Sequence, residues 1–205
     1  MPVHALGTYL FGDDNERLTE TAGYLVRDDK PIKKGTGFFS DGSYVFHYLH
    51  AMNGLYGYGH FQSLVKYEHI IAGTKFDLNN SLKFNLAELF FSSIDTINYG
   101  TSIFPGMRAR YAGLNCYAYA AEPLVNAYLM AEHYDEDTKN EIYSIVKDTY
   151  LDTPYKASII SFLPIDRVKD FEDMIADESI KPRESVSMSK TFYNADRVIH
   201  QRENW

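Results

Sequence analysis

The constraint that most limits this chain is a change of hydrophobic period near residue 185. Up to that point, apolar residues recur at helical spacing. Phe61, Leu64, Val65, Tyr67, Ile70 and Ile71 follow Tyr58 and predict a helix ended by Gly73. Leu82, Leu86, Leu89, Phe90 and Ile94 predict another over 82–97, and residues 14–28 a first, with Leu18, Ala22, Leu25 and Val26 on one face and Asp13 or Asp14 as its cap. A further helix begins near Asn115, with Pro123 at a kink or in a restarted first turn. Thr138-x-x-Glu141 is a capping-box pattern that turns Ile142, Ile145 and Val146 inward, and Pro154–Phe162 predicts one more short helix. From Ser185 to Phe192, and again around Val198, the alternation is that of strands. Two strands alone are marginal and expose edges, so further sheet partners are expected. The fold class is therefore mainly α, followed by the start of an antiparallel β domain. Residues 1–165 form the helical part, the acidic stretch 166–184 an exposed connector, and 185–205 the first strands.

Two glycine-bearing stretches interrupt the helices. The first runs Asp41-Gly42-Ser43-Tyr44-Val45-Phe46-His47 and on through Asn53-Gly54-Leu55-Tyr56-Gly57-Tyr58-Gly59-His60. Glycine costs roughly 1 kcal/mol against alanine inside a helix. Positions 54, 57 and 59 therefore read as a loop or helix start that approaches another group closely, a ligand included. It places an imidazole, His47, nine residues before a phenol, Tyr56. The second stretch, Tyr99 to Arg110, carries Arg108 and Arg110 among turn residues. A phenol with a reference pKa of about 10 becomes a base near neutrality only where cations favour its phenolate. The arginines could supply that field or grip a carboxylate through paired hydrogen bonds. The alternative is a hydrogen-bonded core histidine and a packing tyrosine.

Composition narrows the partners. A net charge of −8 gives no global attraction for nucleic acid, so an acidic ligand must be held by a local basic group. The 17 tyrosines and 13 phenylalanines suit hydroxylated, flat-faced ligands such as sugars, or the rims of packed helices. No His-x-x-x-His or Glu-x-x-His pattern occurs, so neither a metal nor another cofactor is expected. The lone Cys116 forms no intrachain disulfide and reads as packing. No segment has the length of a membrane span, and Met1-Pro2-Val3-His4-Ala5 lacks the basic start and apolar run of a signal peptide. Asp41, Glu88 and Asp95 could in principle form the acid pair of a glycosidase.

Asp41-Gly42-Ser43-Tyr44-x-x-His47 followed by Gly54-x-Tyr56-Gly57 resembles the catalytic signature of polysaccharide lyase family 8, which includes hyaluronate, chondroitin AC and xanthan lyases. Gly73-Thr74-Lys75-Phe76, Gly106-Met107-Arg108-Ala109-Arg110 and the stretch from Phe192 to Trp205 resemble later segments of the same family. The resemblance implies the later part of an incomplete α/α toroid leading into a central β-sandwich. It also implies β-elimination on an acidic, uronate-containing polysaccharide. Tyr56 would be base and acid, His47 would assist and orient the sugar carboxylate, and an arginine would keep Tyr56 reactive. Family members space two arginines four apart, whereas Arg108 and Arg110 are two apart, and ungapped spacing from His47 favours Arg110. Asn53, Tyr58 and Asn194 are the expected substrate-binding residues. The family's carboxylate-neutralising asparagine is expected upstream, about where this chain starts. Export from the cell and a continuing β domain as partner are expected by the same likeness. A non-catalytic carbohydrate-binding remnant and an α/α-toroid glycosidase are the other readings.

Overall fold

The computed structural model describes residues 31–47, 50–72, 86–108 and 118–202. The expected helix at 14–28, Gly73 and Leu82, and the helix start at Asn115 lie outside them. The apolar rows of the sequence become buried seams. Helix α1 (Tyr58–Ile71) buries Phe61, Leu64, Val65 and Tyr67. Residues 86–89 are helical and lead into a wider turn (Phe90–Ile94) and a tighter one (Asp95–Ile97), so Leu86, Phe90 and Ile94 are buried as their spacing requires. Helix α2 (Ala121–Ala131) carries Pro123 in its first turn, where a missing N–H breaks no intrahelical bond.

Helix α3 (Glu136–Asp152) starts two residues before Thr138. Asp135 is its cap, and the Asp135 carboxylate accepts from the Thr138 N–H at 2.9 Å. Helix α4 (Lys156–Phe162) follows. Short turns join α2 to α3 and α3 to α4, and α2 packs against α1, α3 and α4. Antiparallel helices closed in this way form part of an α/α toroid.

The exposed connector expected at 166–184 is corrected by helix α5 (Val168–Ala176), which lies on α3. Phe171 and Met174 are buried, and the Phe171 ring meets those of Tyr128 and Tyr150 edge-on at 5.0 and 5.3 Å.

Among the described residues there are also three short antiparallel sheets. Strands β1 (Gly37–Phe38), β2 (Tyr44–Phe46) and β3 (His50–Ala51) pair in that order. The stretch expected as a loop or helix start is thus a small sheet followed by a wide helical turn, Asn53–Gly57. Strands β4 (Asn98–Tyr99) and β5 (Ser102–Ile103) form a hairpin inside the arginine stretch. Strands β6 (Met188–Phe192) and β7 (Arg197–Gln201) pair from Met188↔Gln201 to Phe192↔Arg197, as the alternation requires, and begin the antiparallel β region.

Candidate active site

Each segment of the site is held by short polar ties. Gly42 has φ +83°, and a Cβ there would stand 2.5 Å from the Ser92 carbonyl, so only glycine fits. Asn53 is fully buried between three segments. Its Oδ1 accepts from the Tyr44 N–H at 2.8 Å, and its Nδ2 donates to the Gly42 carbonyl and to Ser93 Oγ, both at 2.7 Å. These bonds occupy both amide hydrogens, so the expectation that Asn53 binds substrate is corrected. It ties the Tyr56 turn to the strand that leads to His47.

His47 follows β2 in the left-handed region, φ +49°, a conformation sparsely occupied outside glycine and concentrated at functional positions. Its ring is exposed and meets the Phe46 ring edge-on at 4.2 Å. Tyr56 is half-buried and lies against the same Phe46 ring at 4.4 Å. One phenylalanine therefore spaces the imidazole from the phenol, a role that nothing in the sequence assigned to Phe46. The flanking tyrosines are differently placed. Burial pushes the Tyr44 phenol up, and the neighbouring Tyr56 adds to the effect. Burial likewise pushes the Tyr58 phenol well above its ordinary value. Tyr119 reinforces that shift, while the Arg108 guanidinium opposes it.

The Tyr58 hydroxyl donates to Asn98 Oδ1 on β4. Only a small part of Tyr58 reaches solvent, and its hydroxyl is committed to Asn98, while the residue lines the cleft along α1 and α2. Its phenol fastens α1 to the arginine stretch.

Arg108 is brought to the Tyr56 turn. At Gly54, two residues before Tyr56, an added Cβ would lie 3.1 Å from Arg108 Cγ and 1.7 Å from Ile103 Cδ1. The Arg108 guanidinium is buried over the Tyr119 ring, 4.0 Å from its centre. Arg110 lies outside the described residues.

The tip between β6 and β7 closes on this region from the other side. Asp41 is buried and accepts from Ser43 N–H at 3.0 Å, Ser43 Oγ at 2.6 Å and the Asn194 N–H at 2.9 Å. Burial raises the Asp41 carboxyl, but the hydrogen bonds from Asn194 and Ser43 together outweigh it and hold it below the usual carboxylate range. Asn194, half-buried, thus sits against the strand leading to His47, with its side chain also engaging Asp41. The Tyr193 and Ser40 hydroxyls meet at 3.2 Å, and Arg197 Nε donates to the Gly106 carbonyl at 3.3 Å. The β hairpin consequently touches both loops of the site.

The three acids considered as a glycosidase pair are dispersed. Asp41 is occupied as above, Asp95 pairs with Arg183 at 2.5 Å, and Glu88 lines a separate cavity of about 780 Å³. Along α1 and α2, beginning at Leu55, runs a cleft of about 390 Å³ lined by Tyr58, Gln62, Tyr119, Glu122 and Phe162 among others.

Residues 1–148 match the family described as "Polysaccharide lyase family 8, N terminal alpha-helical domain". A hyaluronate lyase of Cutibacterium acnes is 24% identical over 94% of this chain and 23% of its own length. The chain thus spans under a quarter of that relative. A Paenibacillus xanthan lyase superposes with a TM-score of 0.87 at 20% identity, over 98% of this chain and 19% of that one. A Streptomyces coelicolor chondroitin AC lyase, solved in complex with chondroitin sulphate, superposes with a TM-score of 0.79 at 14% identity, over 92% and 27%.

Proposed function

Because the chain belongs to polysaccharide lyase family 8, we propose that His47, Tyr56 and an arginine, Arg108 or Arg110, serve β-elimination at a uronic acid within an acidic polysaccharide. The observation that carries this reading is the placement of Tyr56. Among the described tyrosines of its segment it is the half-buried one, on a turn packed against Arg108, and it shares Phe46 with the exposed His47. Tyr44 and Tyr58, whose phenols burial pushes up, are held protonated.

The reaction follows from that placement. The Tyr56 phenolate takes the proton from C5 of the uronate. The electron pair left at C5 forms the C4–C5 double bond as the bond from C4 to the glycosidic oxygen breaks. That oxygen takes the proton back from the Tyr56 hydroxyl, so no water is added and the phenolate is restored. His47, at the solvent side of Phe46, orients the carboxylate. Positioned proton transfer of this kind contributes about 10²–10⁴-fold. Hyaluronan, chondroitin and xanthan are the substrates suggested by the relatives, and action outside the cell fits such polymers.

Ultraviolet absorbance of the conjugated unsaturated uronate, followed on all three glycans, tests the proposal. Turnover is expected to fall by about 10²-fold or more in Tyr56→Phe. Undiminished turnover in that variant would refute the assignment. Glycan binding without any absorbance change would instead select a carbohydrate-binding role.

A further inference from the structure

Resting on the lyase reading, we propose that Phe46 is a positioning residue, whose ring holds the Tyr56 phenol and the His47 imidazole at a set separation beside β2. The register of the strand explains how Phe46 comes to touch both. Side chains alternate along a strand, so Tyr44 and Phe46 share one face of β2 and the buried Val45 takes the other. The Asn53–Gly57 turn is latched to Tyr44. A Cβ added at Gly57 would stand 3.1 Å from Tyr44 Cβ, and the Met52 N–H donates to the Tyr44 carbonyl at 2.9 Å. The Gly57 N–H in turn donates to the Met52 carbonyl at 3.0 Å. Tyr44 thus carries the backbone of the turn. Phe46, one step further along the same face, carries its side chain: the Phe46 and Tyr56 ring centres are 4.4 Å apart, with their planes tilted by 32°.

Alternation alone would send His47 to the Val45 face, away from Tyr56. The φ of +49° at His47 breaks the alternation, and its ring meets Phe46 edge-on at 4.2 Å, with the planes 81° apart. Left-handed backbone is disfavoured for a residue with a Cβ and persists where surrounding contacts over-determine it. Phe46 supplies one such contact. It is itself anchored, being partly buried and packed against the core. The two rings it touches have different tasks in the proposed reaction, proton exchange for the half-buried Tyr56 and carboxylate orientation for the exposed His47. Both tasks are aimed at one sugar ring, so the spacing between phenol and imidazole must hold during turnover. A flat ring sets the tilt of the phenol as well as its distance, which an aliphatic side chain of similar bulk does not.

The test pairs kinetics with a readout of geometry that needs no turnover. Phe46→Ala, Phe46→Leu and Phe46→Tyr are compared by product absorbance on hyaluronan, chondroitin and xanthan. The proton resonances of the His47 and Tyr56 rings, assigned through His47→Gln and Tyr56→Phe, are followed in the same proteins. Phe46→Ala is expected to lower kcat and kcat/KM together by about 10²-fold, the effect of a displacement of about 1 Å at a reacting group, with KM changed by less than about twofold. Phe46→Tyr keeps the ring and is expected to retain most of the turnover, with Phe46→Leu between the two. Without the aromatic ring, the resonances of both His47 and Tyr56 are expected to move, because a neighbouring ring shifts the protons it meets. Undiminished kcat in folded Phe46→Ala, a rise in KM alone, or equal turnover in Phe46→Leu and Phe46→Tyr would overturn the positioning role. Resonances of either ring that stay in place would overturn it too. Shifted resonances in a protein that releases no product from any of the three glycans would leave the placement standing and refute the lyase reading alone.

Discussion

Replacing Gly54 with alanine tests how tightly the two loops of the site are fitted. The new Cβ would lie 1.7 Å from Ile103 Cδ1 and 3.1 Å from both Ile103 Cγ1 and Arg108 Cγ. Carbon atoms rest about 3.5–4.0 Å apart, so the Ile103 terminus must retreat by roughly 2 Å. Ile103 is 2% exposed and its backbone is paired with Asn98, so that retreat displaces packed neighbours. Overpacking of this kind costs about 1–3 kcal/mol. For a chain of this size, that corresponds to a Tm lower by about 3–10 °C. Arg108 moves with its loop, and a displacement of about 1 Å at a reacting group costs on the order of 10²-fold in turnover. Circular dichroism melting and initial rates of product absorbance read the two effects separately. Ile103→Val removes the clashing Cδ1, so Gly54→Ala combined with Ile103→Val is expected to recover part of both losses, with a coupling of about 0.5–3 kcal/mol. A Gly54→Ala protein with unchanged Tm and turnover, or a double variant showing plain additivity, would refute the close fit.

Tyr58→Phe is expected to cost about 1–3 kcal/mol, because Asn98 Oδ1 loses its buried donor, while KM changes little; a large rise in KM at unchanged stability would instead assign the Tyr58 hydroxyl to substrate binding. Asp41→Asn is expected to lower stability by about 1.5–3 kcal/mol at neutral pH through loss of a charged acceptor. The Asp41 pKa is depressed on folding, so its contribution is present above the ordinary carboxylate value of 3.8 and is lost as pH falls through the lower folded value. Melting curves of both proteins should therefore converge in acid, and a gap that widens there would contradict the assignment. Phe171→Ala is expected to cost about 3–5 kcal/mol by urea unfolding, whereas a mere tether at 168–176 would lose under about 0.5 kcal/mol.

The helices were legible where apolar spacing ran unbroken, as from Phe61 to Tyr67, and β6 and β7 where alternation held for five residues. Helix α5 was hidden by its composition. Val168, Phe171, Met174 and Ile175 keep helical spacing, but five acidic residues between 170 and 178 made the stretch read as solvated connector. Strands β1–β3 span two or three residues each, too few to display a period. At the start of α3, Asp135 and Thr138 compete as caps, and the carboxylate wins by accepting from the Thr138 N–H. In the candidate site, His47 and Tyr56 could be proposed because motif and spacing survive in one segment. The tasks of Asn53 and Asp41 were illegible, since both depend on partners supplied by distant chain: Ser93 for one and Asn194 for the other.

The Asp41–Asn194 hydrogen bond has a kinetic meaning. It joins residues 153 positions apart, so closing it carries one of the larger loop-closure penalties in the chain. At synthesis rates of about 5–20 residues per second, the segment before His47 exists for roughly 8–30 s before its anchor is made. The helices around it draw on nearer neighbours, such as α2 on α3, and are expected to form earlier. Completion of the site is therefore expected late in folding, on arrival of the β6–β7 hairpin.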